Sequence, residues 1–148
     1  MKNSFLLLVM FLSVGFFAQN GYTNQFYGDG TKRSEGALEN GLEEGEWRYY
    51  YPNGNLNRVM TFVKGEQTGL TTTYYSSGKL KSKEAFVSNK LSGACAYYYE
   101  NGQVKKEGLY EEDLLIGAWS FYYETGVLRQ KGQYLQGVPG GLWVLNYP

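Results

Sequence analysis

Gly45-Glu46-Trp47-Arg48-Tyr49-Tyr50-Tyr51-Pro52-Asn53-Gly54 returns three times along the chain, as Gly69–Gly78, Gly93–Gly102 and Gly117–Gly126. The leading glycines stand at 45, 69, 93 and 117, a spacing of 24 residues each time. One period earlier, Gly21 opens a degenerate copy with Phe26, Tyr27 and Gly30; one period later, Gly141 opens a half copy, Leu142 to Tyr147. A fixed period of this size is the signature of a repeat architecture. It predicts five units, 21–44, 45–68, 69–92, 93–116 and 117–140, and a closing strand over 141–148.

Numbering each unit from its leading glycine exposes the columns. Positions 3, 5 and 7 read Trp47, Tyr49, Tyr51, then Thr71, Thr73, Tyr75, then Cys95, Tyr97, Tyr99, then Trp119, Phe121, Tyr123. Large β-formers at every second place predict one face of a strand. Position 6, Tyr50, Tyr74, Tyr98 and Tyr122, falls on the other face. Position 10 is glycine in all five units and follows Asp29, Asn53, Ser77, Asn101 or Thr125, which predicts a hairpin turn. A second strand is expected over positions 11–19, closed by a turn at Gly41, Gly65, Asn89, Asp113 and Gly137. Seventeen of the 20 glycines fall at positions 1, 10, 16 and 21. Glycine weakens a strand, so its recurrence beside bulky rings implies a ring lying over a bare Cα. The fold class is therefore all-β: one elongated, twisted antiparallel sheet of successive hairpins. No helical periodicity is visible.

The N-terminus reads as a leader. Lys2 precedes an almost continuously apolar run, Phe5–Phe17, ending at Ala18. A run of about 13 residues suits a secretory signal and is short of the ~20 needed to span a bilayer. The expectation is a cleaved signal peptide over 1–18, a repeat domain over 19–148, and export to the periplasm, envelope or medium. An uncleaved anchor is the alternative, because Phe16 sits where a small residue is usual. Without Lys2, 13 basic residues face 14 acidic ones, a formal charge of −1. That argues against nucleic-acid binding driven by bulk charge. Cys95 is the one cysteine, and its column predicts a small buried apolar residue.

At Gly-x-Trp-x-x-Tyr-Tyr-x-x-Gly-x-Leu, followed by an aromatic and a glycine turn, the chain resembles the MORN repeat family (membrane occupation and recognition nexus) in its bacterial variant form. Units 45–68 and 117–140 meet the pattern well, Cys95 replaces the tryptophan in 93–116, Thr71 replaces it in 69–92, and the first unit fits least. The resemblance covers 21–147. It implies hairpins in one long sheet and an antitoxin-like or immunity role.

No catalytic constellation is present. Histidine is absent, so Ser-His-Asp, Cys-His and His-metal sites are excluded. Glu43-Glu44-Glu46 and Glu111-Glu112-Asp113 lie in or beside turn columns and read as solvated turns. No enzyme, cofactor or small-molecule substrate is expected.

Two surfaces are candidates. The aromatic columns of the middle units, Trp47, Tyr49, Tyr51, Tyr97, Tyr99, Trp119, Phe121 and Tyr123, are a candidate contact for a protein partner; alternatively these rings only pack a one-layer sheet. The second strand gathers Arg58, Lys79, Lys81, Lys83, Lys105, Lys106, Arg129 and Lys131, a candidate ladder for an acidic partner or anionic headgroups. Alternatively these are solvated charges that discourage edge pairing. The expected function is a non-enzymatic exported scaffold that binds a protein. The alternatives are association with an anionic membrane surface, or an envelope protein self-associating through its sheet edges.

Overall fold

The computed structural model describes residues 20–147. The leader lies outside the described residues. Eleven strands form one open antiparallel sheet in chain order. They are β1 (Gly21–Phe26), β2 (Lys32–Glu39), β3 (Leu42–Tyr50), β4 (Leu56–Val63), β5 (Glu66–Tyr74) and β6 (Leu80–Val87). β7 (Lys90–Tyr98), β8 (Val104–Glu111), β9 (Leu114–Tyr122), β10 (Leu128–Leu135) and β11 (Val138–Leu145) complete it.

The two ends of the hairpins turn by different means. At one end the turn spans positions 7–11: Tyr51 N donates to Asn55 O (2.8 Å) and Gly54 N to Tyr51 O (2.9 Å). Only the position-10 glycine has positive φ there, 83° at Gly54. Asn53 Oδ1 accepts from Asn55 N at 3.0 Å, an Asx turn, which explains the Asp and Asn before the glycine. At the other end two residues suffice, both left-handed: Asn40-Gly41, Lys64-Gly65, Ser88-Asn89, Glu112-Asp113 and Gln136-Gly137. Two positive φ values define the turn whose twist matches the flanking strands. Asn89 and Asp113 stand in for glycine because their side chains tolerate that region and also bridge units. Asn89 Oδ1 accepts from Gln67 N and Asp113 Oδ1 from Leu91 N, each at 2.8 Å.

Apart from Gly21, which opens β1, the leading glycines do not begin strands, as the unit boundaries suggested; they sit inside them as bulges. Ala37 pairs with Glu44 and Glu35 with Arg48, so Gly36 alone faces Gly45–Trp47. Gly45 takes φ 70° to absorb the extra residues.

The register places Trp47, Tyr49, Arg58, Met60 and Phe62 on one face. The same face continues through Ser82, Glu84, Cys95, Tyr97, Lys106, Trp119, Phe121, Gly132 and Tyr134. The described residues form no second layer, so these side chains bury one another. Trp47 and Trp119 are 2% and 0% exposed. Tyr110 and Tyr134 meet Trp119 edge-on, with ring centroids at 5.1 and 6.1 Å, and Phe121 stacks on it at 5.9 Å. Such pairs contribute about 0.5–1.5 kcal/mol each beyond area burial. The indole N–H groups reach back to the preceding strand: Trp47 Nε1 donates to Ala37 O (3.0 Å) and Trp119 Nε1 to Leu109 O (3.1 Å).

Position 7 departs from the expected face. Strands end at position 6, after a register irregularity between Tyr49 and Tyr50. Tyr51 therefore belongs to the turn. Its hydroxyl donates to Tyr74 O in the next unit at 2.9 Å. Tyr27, Tyr75, Tyr99 and Tyr123 do the same to Tyr50, Tyr98, Tyr122 and Asn146. Each bond closes on the residue 23 positions ahead, so the column stitches neighbouring hairpins together.

Candidate functional site

The eight aromatic candidates divide into three roles. Trp47 and Trp119 are buried and have no surface left for a partner. Tyr49, Tyr97 and Phe121 are half-buried in the same aromatic layer. Tyr49 Oη donates to Glu43 Oε1 at 3.2 Å and Tyr97 Oη to Glu84 Oε1 at 2.6 Å. Burial, with the Glu84 carboxylate beside it, pushes the Tyr97 phenol up strongly. Tyr51, Tyr99 and Tyr123 are the stitches at the hairpin ends. All eight make contacts within the sheet.

The basic residues do not form one ladder. Arg58 and Lys106 lie on the aromatic face, opposite Tyr49 and Tyr97. Lys83 and Lys131 lie on the other face, opposite Ala96 and Ser120. Lys81, Lys105 and Arg129 are the extra residues at the irregular step near each hairpin end. Lys81 and Lys105 sit over the Tyr75 and Tyr99 rings, each 5.5 Å from the centroid. Lys106 Nζ stands 4.2 Å from the Tyr97 centroid. Lys79 is in the turn, its carbonyl accepting from Tyr75 N. A strand alternates its sides, and one inserted residue reverses the alternation, so a run of lysines cannot share a face here.

The acidic clusters are structural. Glu44 Oε2 accepts from Lys64 N (2.8 Å), Glu46 pairs with Arg48 (2.6 Å) and Glu112 with Lys90 (3.4 Å). No group of His, Cys, Asp and Glu among the described residues could hold a metal ion. Cys95 is buried, its Sγ 3.5 Å from Gly108 O, and burial pushes its thiol up to about 11. It behaves as the small apolar residue its column predicted.

The face opposite the aromatic layer carries the exposed apolar side chains. Leu70 pairs with Ala85, Ala94 with Leu109, and Leu109 with Ile116. Leu70 is 53% and Leu109 42% exposed, and Leu42, Leu114, Val138 and Leu142 are exposed on the same face. Leu70, Ala94, Ala96 and Leu109 line an open depression of ≈ 490 Å³ with Lys83 and Glu107 beside them. Nearby, Tyr122 Oη donates to Glu107 Oε1 at 2.8 Å. At the N-terminal end of this face Tyr50 donates to Glu35, which also accepts from Lys32 Nζ at 2.7 Å. These donors, led by Lys32, hold the Glu35 carboxyl below its ordinary range.

Four consecutive stretches, 43–64, 67–87, 91–112 and 115–136, match the MORN repeat variant family. The chain belongs to the MORN repeat variant family. The matched stretches begin 24 residues apart and leave out the degenerate first unit. No curated protein matches the chain. Among solved structures it is similar to TarM at a TM-score of 0.40 and 15% identity, over 62% of this chain and 18% of that chain. MORN repeats commonly mediate protein or membrane-lipid interactions.

The sequence reading missed the apolar columns of this MORN sheet at positions 2 and 17: Leu70, Ala94, Ala118 and Leu142 with Ala85 and Leu109. Their signal lies one place away from the aromatic columns, where alanine and leucine recur among polar residues.

Proposed function

We propose that this MORN protein is a non-enzymatic, exported scaffold that binds a protein partner through the face opposite its aromatic layer. One observation carries the reading: Leu70, Leu109, Leu114 and Leu142 stand exposed on one face of a sheet whose other face is already filled. Exposed apolar columns rimmed by polar residues are characteristic of protein contacts. The sheet fixes Leu70, Leu109 and Leu114 by ladders on both sides of their strands, so little backbone order is lost there on binding. The depression at Leu70 and Leu109 is shallow and open, which suits a protein side chain better than an enclosed small molecule. Export rests on Lys2, Phe5–Phe17 and Ala18. An antitoxin or immunity role rests on the family resemblance alone. Division of the basic residues between two faces favours a protein over an anionic membrane.

The test is capture from the native envelope with the wild type and with Leu70→Lys/Leu109→Lys. Loss of a retained protein in the double variant, at unchanged melting temperature, supports the reading. Salt-sensitive sedimentation with anionic vesicles and no retained protein replaces it with the lipid reading. Mass spectrometry of the native N-terminus near Gln19 supports export, and recovery of intact Met1–Phe17 in a soluble cytoplasmic form rejects it.

A further inference from the structure

β11 is an edge of the sheet. From Leu135 to Tyr147 the chain carries no Asp, Glu, Lys or Arg. Leu142 is 94% exposed, and Val144 and Leu145 are exposed beside it. Edge strands are normally guarded by charge, proline or brevity, because their free backbone groups template pairing. Only half of β11 is guarded. Pro139 occupies the column of Gln67 and Leu91, whose N–H groups reach forward to Asn89 and Asp113 of the next unit. Proline removes that outward donor. Gly141, at φ 65°, carries the bulge found at the other leading glycines. Past it, among the described residues, no charge, proline or further bulge guards Leu142–Leu145. The other edge, β1, has six residues against eight and exposes Asn24 and Gln25.

We infer that β11 pairs antiparallel with β11 of a second copy, around a two-fold axis normal to the sheet and centred on Trp143. Such an axis maps each face onto itself, so the aromatic layer continues across the join. It sets Leu142 opposite Val144 of the second copy, twice, with no charge placed against charge. Joining β11 to β1 of a following copy with faces preserved is the alternative. In an eleven-strand meander these two strands run the same way, so that ladder would be parallel, slightly less stable and open-ended. The two-fold pairing is antiparallel, like every other ladder in the sheet, and closed. It shares Leu142 with the face proposed above for a partner, and sedimentation of the protein alone reads the dimer without that partner.

The experiment is sedimentation equilibrium of the native protein, purified as the cell processes it. A dimer is expected at tens of micromolar, dissociating on dilution, since so short a ladder falls in the weak interface class. Leu142→Lys should make it monomeric without lowering the melting temperature. Leu142→Lys combined with Val144→Glu should restore the dimer, because each introduced lysine then faces an introduced glutamate across the axis. A monomer at all concentrations up to about 100 µM overturns the inference, as that leaves Kd above any useful range. So does a dimer that survives Leu142→Lys, or one broken by Tyr22→Lys on β1 instead.

Discussion

Trp119 lies flat on the bare backbone of Gly108: a Cβ at that glycine would stand 2.3 Å from the indole. Trp47 covers Gly36 and Trp143 covers Gly132 in the same way, at 2.3 and 2.2 Å. Where position 16 is not glycine, the tryptophan of the next unit is replaced by something small: Met60 precedes Thr71, and Glu84 precedes Cys95. The two columns share one fixed volume between them.

Gly108→Ala should therefore cost at least ~1–3 kcal/mol, the range for overpacking a filled site. Gly28→Ala, with nothing within 4 Å of its Cβ, should stay within about 0.5 kcal/mol of wild type. Cys95→Trp alone should destabilise. Adding Glu84→Gly should recover part of the loss, with a coupling above ~0.5 kcal/mol in a double-mutant cycle by denaturant unfolding. Additivity of the pair would refute the shared-volume argument.

Tyr75→Phe removes the stitch from Tyr75 Oη to Tyr98 O, 2.7 Å long, and leaves the ring in place. About 1 kcal/mol should be lost, the net value of such a bond. Tyr147→Phe, at an exposed site, is the control and should change nothing.

Alkali should loosen the sheet. Burial, with Glu43 beside it, raises Tyr49 from 10.0 to about 12. Burial, with Glu35 beside it, raises Tyr50 to about 12. A pKa raised on folding gives stability that is complete below the unfolded value and is lost as pH rises through the folded one. Melting temperature should fall between pH 10 and 12, and fall less in Tyr49→Phe/Tyr50→Phe. Glu35 has the opposite sign: its carboxyl lies below 4.5 when folded, so its stabilisation is lost as pH drops beneath that value. Glu35→Gln should flatten the acid limb of the same curve, and parallel curves would show that Glu35 plays no such part.

Removing Gly69–Ser92, one full period, joins Thr68 to Gly93 and restores every column. The shortened sheet should fold, because each strand pairs only with its sequence neighbours. Removing Gly69–Leu80 joins strands of the wrong kind and reverses their faces, and should unfold or aggregate the chain. Circular dichroism and melting compare the two.

The period, the hairpin order and the tryptophan lying over a glycine were all legible in the residues. Each depends on contacts between neighbouring units, and a contact repeated every 24 residues leaves a column in the sequence. That positions 3 and 5 share a face was legible too; tertiary structure alone decided where the alternation breaks. The irregular step between Tyr49 and Tyr50 turns Tyr51 out of the strand, and the same step sends Lys81 and Lys83 to different surroundings. A strand alternates its sides residue by residue, so a single inserted residue reassigns all that follow; the bulge at position 1 has its glycine column, but no glycine marks the step between positions 5 and 6. The surface left open, Leu70 to Leu142, is what remains after the larger rings have covered one another, and that follows only from the assembled sheet.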